Sequence, residues 1–174
     1  MAIPDPELSR MHAAYHESGH VIADLVSGYR FTSVTIRPDE SGEYEVGVCG
    51  SRRGRARDLA VVQCAGLVAS ARMAGYDPWE NPPRFDDDRT DIAAADSFVD
   101  NWAAFVSRTY GESSVKENLW DEIEEKTREL VDRNWKPVDV IAGALLEKET
   151  LAYSDVVRIL KDRCPDFKIG ENPG

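Results

Sequence analysis

Two histidines and a glutamate within five residues, His16-Glu17-Ser18-Gly19-His20, have the types and spacing to hold and use a metal ion. On a helix, residues four apart lie on one face, so the imidazoles of His16 and His20 can converge on a single ion. Glu17 is rotated off that line but can reach a water in an open metal position. Two neutral imidazoles, a carboxylate and a water make the pattern of a catalytic zinc site. Zinc lowers the pKa of such a water from about 15.7 towards about 7, and the glutamate takes its proton. The competing reading is a surface helix with two solvated histidines. Against it, Ala13, Ala14, Val21, Ile22, Leu25 and Val26 surround the motif, which implies a packed helix whose histidines need partners.

The chain has 3 histidines, and the remaining one, His12, shares the stripe. His12 and His20 are eight residues apart, about 12 Å along a helix axis, whereas zinc–nitrogen bonds are about 2.0–2.1 Å. One ion cannot take all three. His12 therefore reads as a first-turn or capping residue.

A catalytic site needs a third protein ligand. The extended H-E-x-x-H-x-x-G-x-x-H pattern is absent: Ala23 stands at the glycine position and no histidine follows. A carboxylate must serve. Asp24 is eight residues from His16 and fails for the reason His12 does. The best candidates are the acidic cluster of Asp86, Asp87, Asp88 and Asp91. The first three fall in an expected loop, while Asp91 opens an apolar helix and sits on more rigid scaffolding.

The elements that must position these residues follow from pattern and punctuation. A length of 174 residues with 42% apolar content suits one globular domain, taken as 1–174 with an ordered core over about 9–163 and loose ends at 1–8 and 165–174. A helix is expected over 9–27, with Ser9 as N-cap and Gly28 as its stop. Residues 31–37 and 44–49 read as a β-hairpin, and a strand beside such a helix can serve as an edge for an extended peptide. Four arginines, Arg52, Arg53, Arg55 and Arg57, mark a solvated linker or a basic loop. A helix rich in small residues over 58–74, stopped by Gly75, is expected to back the histidine helix, with Cys64 in the core. Residues 76–89 form a proline- and acid-rich loop in which Trp79 and Phe85 pin the chain or line a cleft. Further helices are expected over 90–108, with Thr90 as N-cap, 119–133, 137–147 and 153–161. The fold class is thus mainly α, with a small sheet beside the histidine helix.

A net charge of −11 argues against nucleic acid or an anionic membrane as partner. No apolar run approaches the roughly 20 residues of a membrane helix, and the N-terminal residues lack a signal-peptide pattern. Cys49, Cys64 and Cys164 are scattered, which suggests free thiols and a cytoplasmic setting.

Several stretches in order resemble the peptidase domain of FtsH-type zinc proteases. These are His16-Glu17-Ser18-Gly19-His20 (H-E-A-G-H in the family), residues 31–38 reading F-T-S-V-T-I-R-P (a V-x-I-x-P strand) and Ala65-Gly66-Leu67-Val68-Ala69 (A-G-R-A-A). Thr90-Asp91-Ile92-Ala93-Ala94-Ala95 (N-D-L-x-x-A-T) and residues 145–151 reading L-L-E-K-E-T-L complete the series. The resemblance covers about residues 11–161. It implies a helical zinc-metallopeptidase domain that hydrolyses peptide bonds in peptides or unfolded proteins. His16, His20 and Asp91 would bind one zinc ion, and Glu17 would be the general base. Ser70 replaces a family glutamate, which bears on contacts around the metal. The family's ATP-binding motif G-x-x-x-x-G-K-[ST] is absent, so threading of substrates would need a separate ATPase, and a homo-oligomer is a further expectation. The alternative is a non-catalytic or partner-dependent zinc-binding domain of the same fold; the presence of Glu17 favours the enzyme.

Overall fold

The helix carrying the histidines begins earlier than its expected cap. In the computed structural model, which describes residues 6–38, 44–49, 56–81, 85–110 and 115–171, α1 spans Pro6–Val26. Proline suits a first turn because its missing N–H would have had no intrahelical acceptor, and Glu7 complements the positive end of the helix dipole. Ser9 is therefore inside the helix and not its cap. The stop is where glycine puts it. Gly28 takes a left-handed φ of 76°. Its N–H reaches the Leu25 carbonyl at 3.2 Å, and that of Tyr29 reaches Asp24 at 2.8 Å. This paired bonding satisfies carbonyls at the helix end.

α2 (Ala56–Ala74) ends in the same way. Gly75 has a φ of 74°, and the N–H groups of Gly75 and Tyr76 reach Arg72 and Ala71. α3 spans Asp86–Tyr110, α4 Val115–Arg133, α5 Trp135–Lys148 and α6 Tyr153–Arg163. The described residues are mainly helical, as expected. Asp86–Asp88 open α3 and do not lie in a loop, and Thr90 lies within that helix and does not cap it.

The sheet has a third strand that the hairpin reading lacked. β1 (Ser33–Pro38) lies between β2 (Tyr44–Cys49) and β3 (Thr150–Ala152), antiparallel to both. Val34 pairs with Val48 on one side and Leu151 on the other. Val34, Ile36 and Leu151 are buried, so one face of the sheet closes the core. Between α5 and β3 the chain turns sharply at Glu149. That residue adopts a left-handed φ of 60°, and its carbonyl accepts the Ile36 N–H at 2.8 Å. Arg10 of α1 donates to the Leu146 carbonyl at 2.7 Å, satisfying an acceptor at the end of α5.

α1 runs through the middle, packed against α2 on one side and α5 on another. Two apolar clusters result. The larger joins α1, the sheet, α5, α6, one face of α2 and the end of α4 through residues such as Ile22, Leu25, Ile36, Val131, Ile141 and Leu145. The smaller joins α2, α3 and α4 through Ala60, Cys64, Ala95, Val99, Leu119 and Ile123. Trp79 touches both, so it pins the segment after α2. Asp77 holds the same segment by a pair of contacts from Arg128 at 2.7 and 2.8 Å.

Part of the tail expected to be loose, residues 165–171, lies against the body of the chain. Phe167 packs on the larger cluster, and the Gly170 N–H reaches the Leu25 carbonyl at 2.8 Å. A side chain at Gly170 would run into the Val26 carbonyl, so glycine is what lets the tail lie against the end of α1. Cys64 and Cys164 are buried free thiols. Arg57 pairs with Glu122 at 2.6 Å. Arg52, Arg53 and Arg55 lie outside the described residues, as does the side chain of Cys49. No helix among the described residues is long and apolar enough to cross a membrane.

Candidate metal centre

Three helices meet at the histidines. α1 presents His16 and His20 on one face, and the i, i+4 spacing brings their Nε2 atoms to 3.1 Å. α3 crosses opposite and delivers Asp91, whose Oδ2 lies 2.8 Å from each Nε2. These three residues could hold a metal ion. A tetrahedral zinc with bonds of about 2.0–2.1 Å holds its donors about 3.3 Å apart, so the triangle would open by a few tenths of an ångström. Two imidazoles and a carboxylate are a donor set that zinc accepts.

The far sides of both rings are tied. His20 Nδ1 lies 2.9 Å from the Val62 carbonyl of α2, an acceptor only, so that nitrogen carries the proton and donates it. His16 Nδ1 lies 3.1 Å from Asp88 Oδ1. With Nδ1–H donating outward, each Nε2 can offer its lone pair inward, the arrangement that fixes metal-ligating histidines. Asp91 is held in turn through its other oxygen, which accepts from the Gln63 amide.

α2 can approach because it is thin there. A Cβ at Gly66 would press on Nε2 of both His16 and His20. One turn along α1, a Cβ at Gly19 would run into the Ala65 carbonyl and lie 2.8 Å from the Ala69 Cβ. Two glycines, one on each helix, thus let α2 back the histidine helix as its small residues suggested. Ser70 is buried and donates to the Leu67 carbonyl of its own helix at 3.1 Å, so the hydroxyl needs no partner at the centre.

Charge dominates this site. Burial opposes a charge on the His16 imidazole, but the hydrogen bonds it donates to Asp88 and Asp91 and the charge of Glu17 outweigh it, and the group is pushed up to about 10. Without a metal, a proton supplies the positive charge that three nearby carboxylates demand. Burial would raise the Asp91 carboxyl, yet the histidines pull it well below the usual range. Asp88 is lowered against burial by His12 and His16. Cys64 is pushed up by burial and by the Asp91 charge, which keeps it a thiol. Glu17 is buried beside His16.

His12 is the main departure from expectation. It is neither in the first turn nor a cap. It sits in the second turn of α1, buried, with its ring stacked on Phe85 at 3.7 Å between centroids. Its Nε2 lies 3.3 Å from Asp88 Oδ1. Asp88 was one of four carboxylates open as a third ligand; it contacts the outer nitrogen of His16, while Asp91 faces the inner one. The side chains of Asp86 and Asp87 lie outside the described residues, and Asp24, though buried, belongs to neither His/Asp group. The Val62 carbonyl, Gln63 and Gly66 were not foreseen, and the small-residue character of α2 was their sole signal. Comparison with known protein families and with curated proteins finds no match to this chain.

Proposed function

We propose that this chain is a zinc-dependent metallopeptidase of the FtsH peptidase type, hydrolysing peptide bonds in peptides or unfolded proteins. One observation carries the reading. Two imidazoles of an H-E-x-x-H helix and a carboxylate from a separate helix meet within 3.1 Å of one another, with both outer ring nitrogens tied to acceptors.

His16, His20 and Asp91 would hold the zinc, which when bound would supply Lewis-acid polarisation of the scissile carbonyl and acidify a water. Asp88 and the Val62 carbonyl keep the two rings in the ligating tautomer. Glu17 is the general base: its carboxylate accepts the proton of the attacking water and passes it to the departing amine nitrogen. His20 and Asp91 are the members with the largest residual exposure, 7% and 11% of their side chains against 2% for His16, so substrate enters from their side. β2 is an outer strand that lies against α1, and an extended peptide can add to such an edge. Delivery of folded substrates calls for an ATP-driven motor.

Metal content and cleavage of a quenched peptide and casein test this on three proteins. Wild type is expected to carry about one zinc per chain and to cleave. Glu17→Gln should keep the zinc and lose at least about a hundredfold in rate, the span general-base removal commonly costs. Asp91→Ala should lose the zinc. A wild type that holds zinc but cuts nothing favours a binding domain that keeps the fold without turnover. A wild type without metal after chelator-free purification overturns the reading.

A further inference from the structure

Behind His16, on the side away from Asp91, lies a second group of ionisable side chains: His12, His16 and Asp88. It differs from the ligand triangle in one respect. The side chains of His12, His16 and Asp88 are 3%, 2% and 0% exposed, so neither substrate nor solvent reaches them. A sealed group of this kind acts on its neighbours and not on a ligand from outside.

Its geometry says on which neighbour. Asp88 Oδ1 takes both contacts, from His16 Nδ1 at 3.1 Å and from His12 Nε2 at 3.3 Å. Its Oδ2 is buried without a hydrogen-bond partner among the described residues. The carboxylate is thus oriented through one oxygen, by a hydrogen bond from His16 and by the close approach of the His12 ring, whose Nε2 sits at ion-pair distance without hydrogen-bond geometry. His12 is itself fixed. Its ring lies over Phe85 with the planes 23° apart, and Phe85 immediately precedes α3. Asp88 and Asp91, three apart on α3, face opposite nitrogens of the same His16 ring, so a small rotation of Asp88 turns that ring relative to Asp91.

We propose that His12 is a positioning residue for the metal centre: by holding the Asp88 carboxylate against His16 Nδ1, it sets the tautomer and plane of the His16 ring. This rests on the reading of His16, His20 and Asp91 as a zinc site. Removing a partner one step outside the ligands typically costs 10–100-fold in metal affinity. Asp88→Asn should fall in that range, and His12, one contact further out, near its lower end.

The test is zinc affinity by competition with a chromophoric chelator, together with the visible spectrum of the cobalt-substituted protein, which reports ligand geometry. His12→Phe keeps the ring on Phe85 and loses the nitrogen that faces Asp88. His12→Gln offers an amide N–H in nearly the same place. Thermal melts of the metal-free proteins separate folding from binding. His12→Phe is expected to bind zinc about tenfold more weakly, with an altered cobalt spectrum. His12→Gln should stay within about threefold of wild type with its spectrum restored. Should His12→Phe fail to fold, His12→Gln against His12→Leu makes the same comparison. Equal affinity and spectra in wild type and His12→Phe overturn the proposal while leaving the zinc site standing. Two ions in wild type and one in His12→Phe overturn it in favour of a second metal position. No metal in wild type overturns the zinc reading itself.

Discussion

At the scale of single residues, the centre is governed by competition between a proton and a cation. His16 is pushed up to about 10 without metal because Asp88, Asp91 and Glu17 surround it. Below that pH, zinc must first displace a proton. Apparent zinc affinity should therefore rise about tenfold per pH unit between 7 and 9, where an ordinary imidazole, titrating near 6.5, shows little dependence. Calorimetry in buffers of different ionisation enthalpy checks this, with about one proton released per zinc at pH 8. The sign for the metal-free fold is opposite. A raised histidine contributes stability that is fully present below about 6.5 and is lost as pH climbs through about 10. His16, Glu17 and His20 are legible in the sequence because one helix fixes their relation. Asp91 is 71 residues from His20, and spacing leaves it level with its acidic neighbours; the family resemblance singles it out. The roles of Asp88, Gln63 and the Val62 carbonyl depend on how three helices cross, which no local pattern encodes.

At the scale of elements, the crossing of α1 and α2 is set by two glycines with different tasks. A methyl at Gly19 meets the Ala65 carbonyl, a backbone atom that cannot move aside. Gly19→Ala should cost about 1–3 kcal/mol of stability, as overpacking does, read as a lower melting temperature with and without zinc. A methyl at Gly66 meets the two ligand nitrogens. Gly66→Ala should lower zinc affinity by at least about tenfold, because positions beside the ligands carry that much. Its metal-free melt should move less than that of Gly19→Ala, since the atoms it meets belong to side chains that can shift and not to the backbone. Equal losses of stability would show that the two glycines do the same work. Helix stops were legible here, at Gly28 and Gly75, because few residues accept a positive φ. Helix starts were not: the Ser9 and Thr90 cap assignments each fell inside a helix, since serine and threonine also serve there. β3 escaped notice because a three-residue strand has too short a period to read, and its partner lies more than a hundred residues away in β1.

At the scale of the whole molecule, the ligands come from opposite sides of the hydrophobic interior. α1 belongs to the larger apolar cluster, α3 to the smaller one, and α2 lies between them with residues in both. A metal bound by His16, His20 and Asp91 would therefore cross-link two bodies of packed side chains that otherwise share mainly α2, α4 and Trp79. Binding to the folded state alone adds about 4 kcal/mol at a free zinc concentration a thousand times the dissociation constant. The more telling effect is on the shape of unfolding. With zinc, both clusters should melt in one sharp calorimetric transition, the van't Hoff and calorimetric enthalpies agreeing. With zinc removed, the transition should broaden, and hydrogen exchange should show α3 and α4 opening ahead of α1 and α5. The ion then decides whether this chain behaves as one cooperative unit or as two loosely coupled halves. Left without an ion at His16, His20 and Asp91, the molecule would have a far half that comes apart first, exposed to whatever degrades open chains.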